Sequence, residues 1–247
     1  MTETERMSLP WFSFKGRISH EFGLFIREKN THDGASRDLD FEKVAGRNGD
    51  LIIDNGSYNN VVVSYDMKML NDTGFSFQEV ARQIKAWLLA EQGYFKLFDS
   101  YDLKYFRYGA YADGVSLSQD GKDKEIGYIP ISFNCKPFRY SFEGQNVVTL
   151  TEAGTINNRE FYPSKPYMKI YGNGEITLSV NEKSWNFTDV EEYIEVDSEI
   201  MNAYKGLEPL NHKMTGEYFP EFKVGDNSIS WVGEVEKIEI IPRWCSL

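Results

Sequence analysis

The chain has 247 residues, 41% of them apolar and 15% aromatic, enough to bury one large core or two smaller ones without staples. With 38 acidic against 27 basic residues it carries a formal charge of −11, which argues against general binding of nucleic-acid backbones. No apolar run is long enough for a membrane-spanning helix, and the polar leader before Pro10 has no signal-peptide pattern.

Residues 11–15 alternate aromatic and polar and predict a strand turned by Gly16. Phe22-Gly23-Leu24-Phe25-Ile26 opens a second strand, and the polar run 27–40, with His32 and Asp33, reads as a surface loop. Residues 44–69 are the most strongly patterned stretch. Gly46 and Gly49 bracket Arg47-Asn48, and Asn55-Gly56 follows Leu51-Ile52-Ile53; both are turn signals. Val61, Val63, Tyr65, Met67 and Met69 then repeat with period two, as in a strand with one inward face. One helix is predicted over about 76–92. Ser76 caps it with Glu79 reaching back, Phe75 and Val80 form a hydrophobic staple, and Gly93 stops it. Phe77, Val80, Ala81, Ile84, Trp87 and Leu88 make its apolar stripe, facing a sheet.

Strands resume at 94–98, at 105–108 leading into 110–118, and at 126–134, where Pro137 ends the run; 119–122 is a hairpin turn between the last two. Periodicity is lost over 137–146. Charge changes there too: residues 1–140 hold 20 acids and 18 bases, residues 141–247 hold 18 and 9. Two domains follow, 1–140 and 141–247. The second reads as all β, with a hairpin turned at Gly172-Asn173-Gly174 and strands at 185–187, 193–196, 227–232 and 235–241, a sandwich pattern.

No Walker loop, H-E-x-x-H, C-x-x-C or G-x-S-x-G is present, and Gly172-x-Gly174 lacks the third glycine of a dinucleotide loop. His20, His32 and His212 share no metal-like spacing, and residues 120–125 lack the alternating ligands of a calcium loop, so neither a cofactor nor a metal is expected. Cys135 and Cys245 leave free thiols or one disulfide open, free thiols being the expectation for a cytosolically made protein. The acidic run 189–199 could supply a glycosidase pair, but Glu195 and Asp197 alternate with Ile194 and Val196 as the solvated face of a half-buried strand does. Trp185, Trp231 and Glu234 are the residues of an alternative, carbohydrate-binding reading: Trp231-Val232-Gly233-Glu234 matches a fragment of the galectin signature, without its His-Asn-Arg cluster.

In order and spacing, several fragments together resemble the distal tail proteins (Dit family) of long-tailed siphophages, especially phages and prophages of Gram-positive hosts. In the first half these are Phe14-Lys15-Gly16, Gly46-Arg47-Asn48-Gly49-Asp50, Ala86-Trp87-Leu88, Gly93-Tyr94-Phe95-Lys96-Leu97 and Phe133-Asn134-Cys135-Lys136-Pro137-Phe138. In the second they are Pro166-Tyr167-Met168-Lys169-Ile170-Tyr171, Tyr218-Phe219-Pro220, Ile229-Ser230-Trp231 and Ile240-Ile241-Pro242-Arg243-Trp244. The resemblance implies a mainly β fold: an N-terminal β-sandwich or barrel-like domain with one helix, forming a hexameric ring, and a C-terminal galectin-like β-sandwich. It further implies a non-enzymatic hub at the virion tail tip, assembled in the host cytoplasm, between the tail-tube protein and a tail-associated fibre or lysin protein. The outer domain of such hubs can dock receptor-binding proteins; neither sequence-specific nucleic-acid binding nor membrane insertion is implied. Within that frame Arg47 and Asn48 either brace their loop or reach a neighbouring subunit, the brace being favoured because an arginine beside two turn glycines can bond nearby carbonyls.

Overall fold

The computed structural model describes residues 8–29, 34–71 and 74–247, so His32 and Asp33 lie outside the described residues. The protein is mainly β with one long helix. It divides into two compact units, residues 1–139 with Leu247, and residues 140–246.

The first unit contains β1 (Phe12–Phe14), β2 (Arg17–Ile18), β3 (Leu24–Lys29), β4 (Arg37–Glu42), β5 (Leu51–Tyr58), β6 (Val61–Leu70), α1 (Phe77–Leu89), β7 (Phe95–Asp99), β8 (Tyr105–Ala110), β9 (Ser118–Gln119) and β10 (Ile126–Ser141). The last two residues of β10 belong to the second unit. Its main sheet runs β2-β1-β7-β8-β10-β6-β3. The period-two pattern of β6 places Val61, Tyr65, Met67 and Met69 inward, opposite Cys135, Ile131, Ile129 and Gly127 of β10. Over this face lies α1. Trp87 stacks on Phe12 (centroids 5.4 Å) and Phe22 (4.5 Å), and its indole N–H donates to the Phe14 carbonyl at 3.0 Å. Burying Val80, Ile84, Trp87 and Leu88 contributes on the order of 2 kcal/mol per side chain.

Ser76 caps α1 by accepting the Glu79 N–H, as expected, while Phe75 of the predicted staple is half exposed. The helix ends at Leu89, before Gly93. Lys15 closes its end instead: its ammonium donates to the carbonyls of Trp87 and Leu88, which a helix C-terminus leaves orphaned, and to that of Glu91 just beyond the helix.

Four local expectations fail in this unit. The polar run 27–40 is not all loop, because its end forms β4, which pairs with β5 in a separate two-stranded ribbon. Asn55-Gly56 does not turn the chain: Arg37 faces Tyr58 but Leu39 faces Asp54, so residues 55–57 form a bulge inside β5, with Gly56 at φ 73°. Residues 111–117 are irregular between β8 and β9. Pro137 does not end β10, since the ladder to β6 stops at Cys135 and the proline's missing N–H breaks no bond in it.

The second unit contains β11 (Val148–Leu150), β12 (Gly154–Asn158), β13 (Tyr167–Val180), β14 (Lys183–Val190), β15 (Tyr193–Asp197), β16 (Asn202–Lys205), β17 (Glu208–Pro209), β18 (Met214–Thr215), β19 (Gly225–Ile241) and β20 (Cys245–Ser246). Its sheet runs β11-β19-β13-β15-β16-β17, with β14 also on β13. The expected hairpin at Gly172-Asn173-Gly174 is instead a bend within β13. A Cβ on Gly172 would meet the Glu234 carbonyl at 2.2 Å, and one on Gly233 would meet the Glu175 carbonyl at 2.3 Å. Two long strands therefore kink together where backbone passes against backbone. Before the kink β13 pairs β15, and after it β14. Side chains from both halves, including Met168, Ile170, Leu178, Trp185 and Phe187, enter one core.

Candidate functional site

The expected contact loop sits at the tip of the β4–β5 ribbon. Asp54 pairs with Arg37, whose guanidinium lies 5.2 Å from the Tyr58 ring, and Tyr58 meets Phe138 edge-on at 5.6 Å, fixing the ribbon's base. Beyond that base none of its side chains belongs to the core of the unit. Phe41 is 61% exposed and faces Ile52, which is 59% exposed; Leu51 and Ile53 on the other face and Val44 near the tip are exposed as well. A two-stranded ribbon is marginal on its own, and apolar side chains collected on one are the mark of a contact surface. Gly46 (φ 79°) and Gly49 (φ 83°) shape the tip. The internal brace favoured for Arg47 does not form. Its backbone N–H donates to the Val44 carbonyl at 3.1 Å, but its guanidinium has no partner among the described residues, and Asn48 is exposed beside it.

The carbohydrate residues are not brought together. Trp185 is 1% exposed; its indole N–H donates to the Tyr218 carbonyl at 2.9 Å, and a Cβ on Gly216 would meet its ring at 2.3 Å. A ring sealed in the core cannot stack a sugar, which corrects the reading of Trp185 as a platform. Trp231 and Trp185 flank Leu178 on β13 from opposite sides, so Trp231 also packs inward, whereas Glu234 lies beyond the Gly233 kink and is exposed.

Glu195 and Asp197 are not a solvated pair. Asp197 is 7% exposed and takes both Arg243 guanidinium nitrogens, at 2.6 and 2.8 Å, and the N–H groups of Glu199 and Ile200. Burial pushes its carboxyl upward, but Arg243 and those N–H groups outweigh it and hold it below the usual range. Glu195 accepts from the Tyr167 hydroxyl (2.6 Å) and the Gly206 N–H (2.9 Å). Sequence alone had no signal for Arg243 as the partner, 46 residues away.

A cavity of about 240 Å³ in the first unit is lined by Lys29, Tyr65, Asp99, Arg107 and Arg139 among others. Asp99, 5% exposed, accepts from Lys29 (2.7 Å) and the Tyr65 hydroxyl (2.8 Å), and Asp102 pairs with Arg139. The Tyr65 hydroxyl is pushed far upward by burial and by Asp99, so it is a fixed donor. Arg107 donates to the Lys136 and Pro137 carbonyls, while the buried Arg139 Nε has no hydrogen-bond partner among the described residues. The two cysteines are free and buried, each pushed up to about 12 by burial, hence unreactive at neutral pH. Asp120 accepts the Lys122 and Asp123 N–H groups, as a turn carboxylate does. No group of three or more metal-ligating side chains is found among the described residues, and no described helix is long and apolar enough to cross a membrane.

The described residues define a two-unit, mainly β protein with one α-helix, and one cluster of its exposed apolar side chains lies on the β4–β5 ribbon. No protein-family model and no curated protein matches the chain. Its fold is that of the Dit (gp 19.1) protein of SPP1, described as a paradigm of the hub adsorption apparatus in phages that infect Gram-positive hosts. The TM-score is 0.70 at 13% identity, over 94% of this chain and 98% of that one.

Proposed function

We propose that this protein is a structural, non-enzymatic hub of a phage tail tip. It closes as a hexameric ring that joins the tail-tube protein to a tail-associated fibre or lysin protein, with receptor-binding proteins docking on its outer domain. Likeness of fold to SPP1 Dit over nearly the whole of both chains is the observation that carries this reading. Residues 1–140 form the ring, and residues 141–247 are the outer, galectin-like sandwich. The β4–β5 ribbon, with Arg47 and Asn48 at its tip, is the contact arm: its exposed apolar pairs are explained by burial against a second copy.

Light scattering and negative-stain imaging of the purified protein, alone and with the tail-tube protein, test the reading. Rings are expected. A strict monomer under both conditions would overturn it. The double variant Phe41→Ser/Ile52→Ser should keep the wild-type melting temperature within a few degrees, since neither side chain is in the core, and should lose the rings.

A further inference from the structure

The two faces of the β4–β5 ribbon differ in charge. Pairing puts Phe41 beside Ile52 and Leu39 beside Asp54 on one face, where Asp54 is neutralised by Arg37, the only cation of the two strands. On the other face Glu42 lies beside Leu51 and Asp40 beside Ile53. An acid column there runs alongside an apolar one, with a step of about 7 Å along each strand. Glu42 has no partner among the described residues, and Asp40 has the Asn55 amide.

A ring of identical copies closes through unlike surfaces, so the ribbon needs a receiving surface elsewhere on the first unit. The outer side of α1 has the matching layout. Arg82 and Lys85 are exposed and have no partner among the described residues, and residues 80–90 hold no acid. Helical spacing sets Ala86 and Ala90, both exposed, in a column beside those two cations, with a step of about 6 Å. The two alanines line an open groove of about 480 Å³ together with Lys15 and Arg17 of the β1–β2 hairpin. Its acids are marginal: Glu91 closes one end, and Glu21 is taken by Arg17.

We infer that the acidic face of the ribbon docks on α1 of a second copy. Leu51 and Ile53 enter the groove over Ala86 and Ala90, while Asp40 and Glu42 meet Arg82 and Lys85. Complementary charge, an apolar column set against a column of small side chains, and similar steps along strand and helix select this occupant. The inference rests on the reading of the ribbon as the contact arm of a ring, and it leaves Phe41 and Ile52 to the opposite face.

Three full-length proteins are compared by melting temperature, light scattering and negative-stain imaging, alone and with the tail-tube protein: wild type, the ribbon variant Asp40→Lys/Glu42→Lys and the helix variant Arg82→Glu/Lys85→Glu. All four side chains are exposed, so both variants should melt within a few degrees of wild type. Like charges meet in either variant, and neither should form rings by itself. An equimolar mixture of the two should form rings again, because in an alternating assembly each ribbon meets a helix of opposite charge. Rings from either variant alone, or a mixture that stays without rings, overturn this docking and leave the hub reading intact. Should a reversed variant not fold, Asp40→Asn/Glu42→Gln and Arg82→Gln/Lys85→Gln take its place. Each is expected to need at least tenfold more protein to assemble, and assembly at the wild-type concentration overturns the docking. A wild type that forms no rings overturns the hub reading and this inference with it.

Discussion

At the scale of single residues, the most consequential groups are polar side chains whose partners lie far away in sequence. Asp197 and Arg243 form a buried, bidentate pair. Arg243→Ala would leave the carboxylate buried and uncompensated, and a loss of roughly 3 kcal/mol is expected in denaturant melts. The pH dependence has a definite sign. The folded carboxyl lies below the ordinary aspartate value, so the pair stabilises above that ordinary value and the contribution is lost as pH falls through the lowered folded value. Melts between pH 2 and 6 should show a steeper acid loss for wild type than for Asp197→Asn. Lys15 is the second case. Its three carbonyl contacts close α1, and Lys15→Met should cost about 1 kcal/mol, read as a lower melting temperature for the first unit. Periodicity assigns residues to faces, but it carries no information about which distant charge arrives opposite.

At the scale of elements, the sequence placed α1 and the paired faces of β6 and β10 well, because each is written in a local repeat: period 3.6 for Val80, Ile84, Trp87 and Leu88, and period two for Val61 to Met69. It misread glycines. Asn55-Gly56 and Gly172-Asn173-Gly174 carry turn chemistry, yet both lie inside strands. Positive φ and freedom from a Cβ serve a bulge or a close backbone approach as readily as a turn, and composition alone does not separate them. Gly172→Ala makes the distinction measurable. At a positive-φ turn position alanine costs roughly 1–2 kcal/mol, whereas a Cβ 2.2 Å from the Glu234 carbonyl forces β13 and β19 apart. More than about 3 kcal/mol of destabilisation is expected in denaturant melts, with loss of the folded second unit as the extreme outcome.

At the scale of the whole molecule, a contact role accounts for features that a catalytic one leaves idle. Buried Asp99 and Asp197 are paired with Lys29 and Arg243, the thiols are inert, and Trp185 and Trp231 are turned inward. The ribbon's exposed apolar side chains are groups that the core of the first unit does not use. The low net charge of residues 1–140, 20 acids to 18 bases, also suits a ring through which DNA passes without being held.

The sequence by itself determined the mainly β class, the single helix with its buried face, the change of character near residue 140, and the resemblance in fragment order to distal tail proteins. The first three are encoded locally, in side-chain period and in composition, while the resemblance rests on the order of the matched fragments. Only the tertiary structure decided that Trp185 is core, that Asp197 is buried against Arg243, that the Arg47 guanidinium has no partner among the described residues, and that β4 and β5 stand off the core as a ribbon. Each of these depends on what lies across from a residue rather than beside it, and strand pairing over tens of residues sets that.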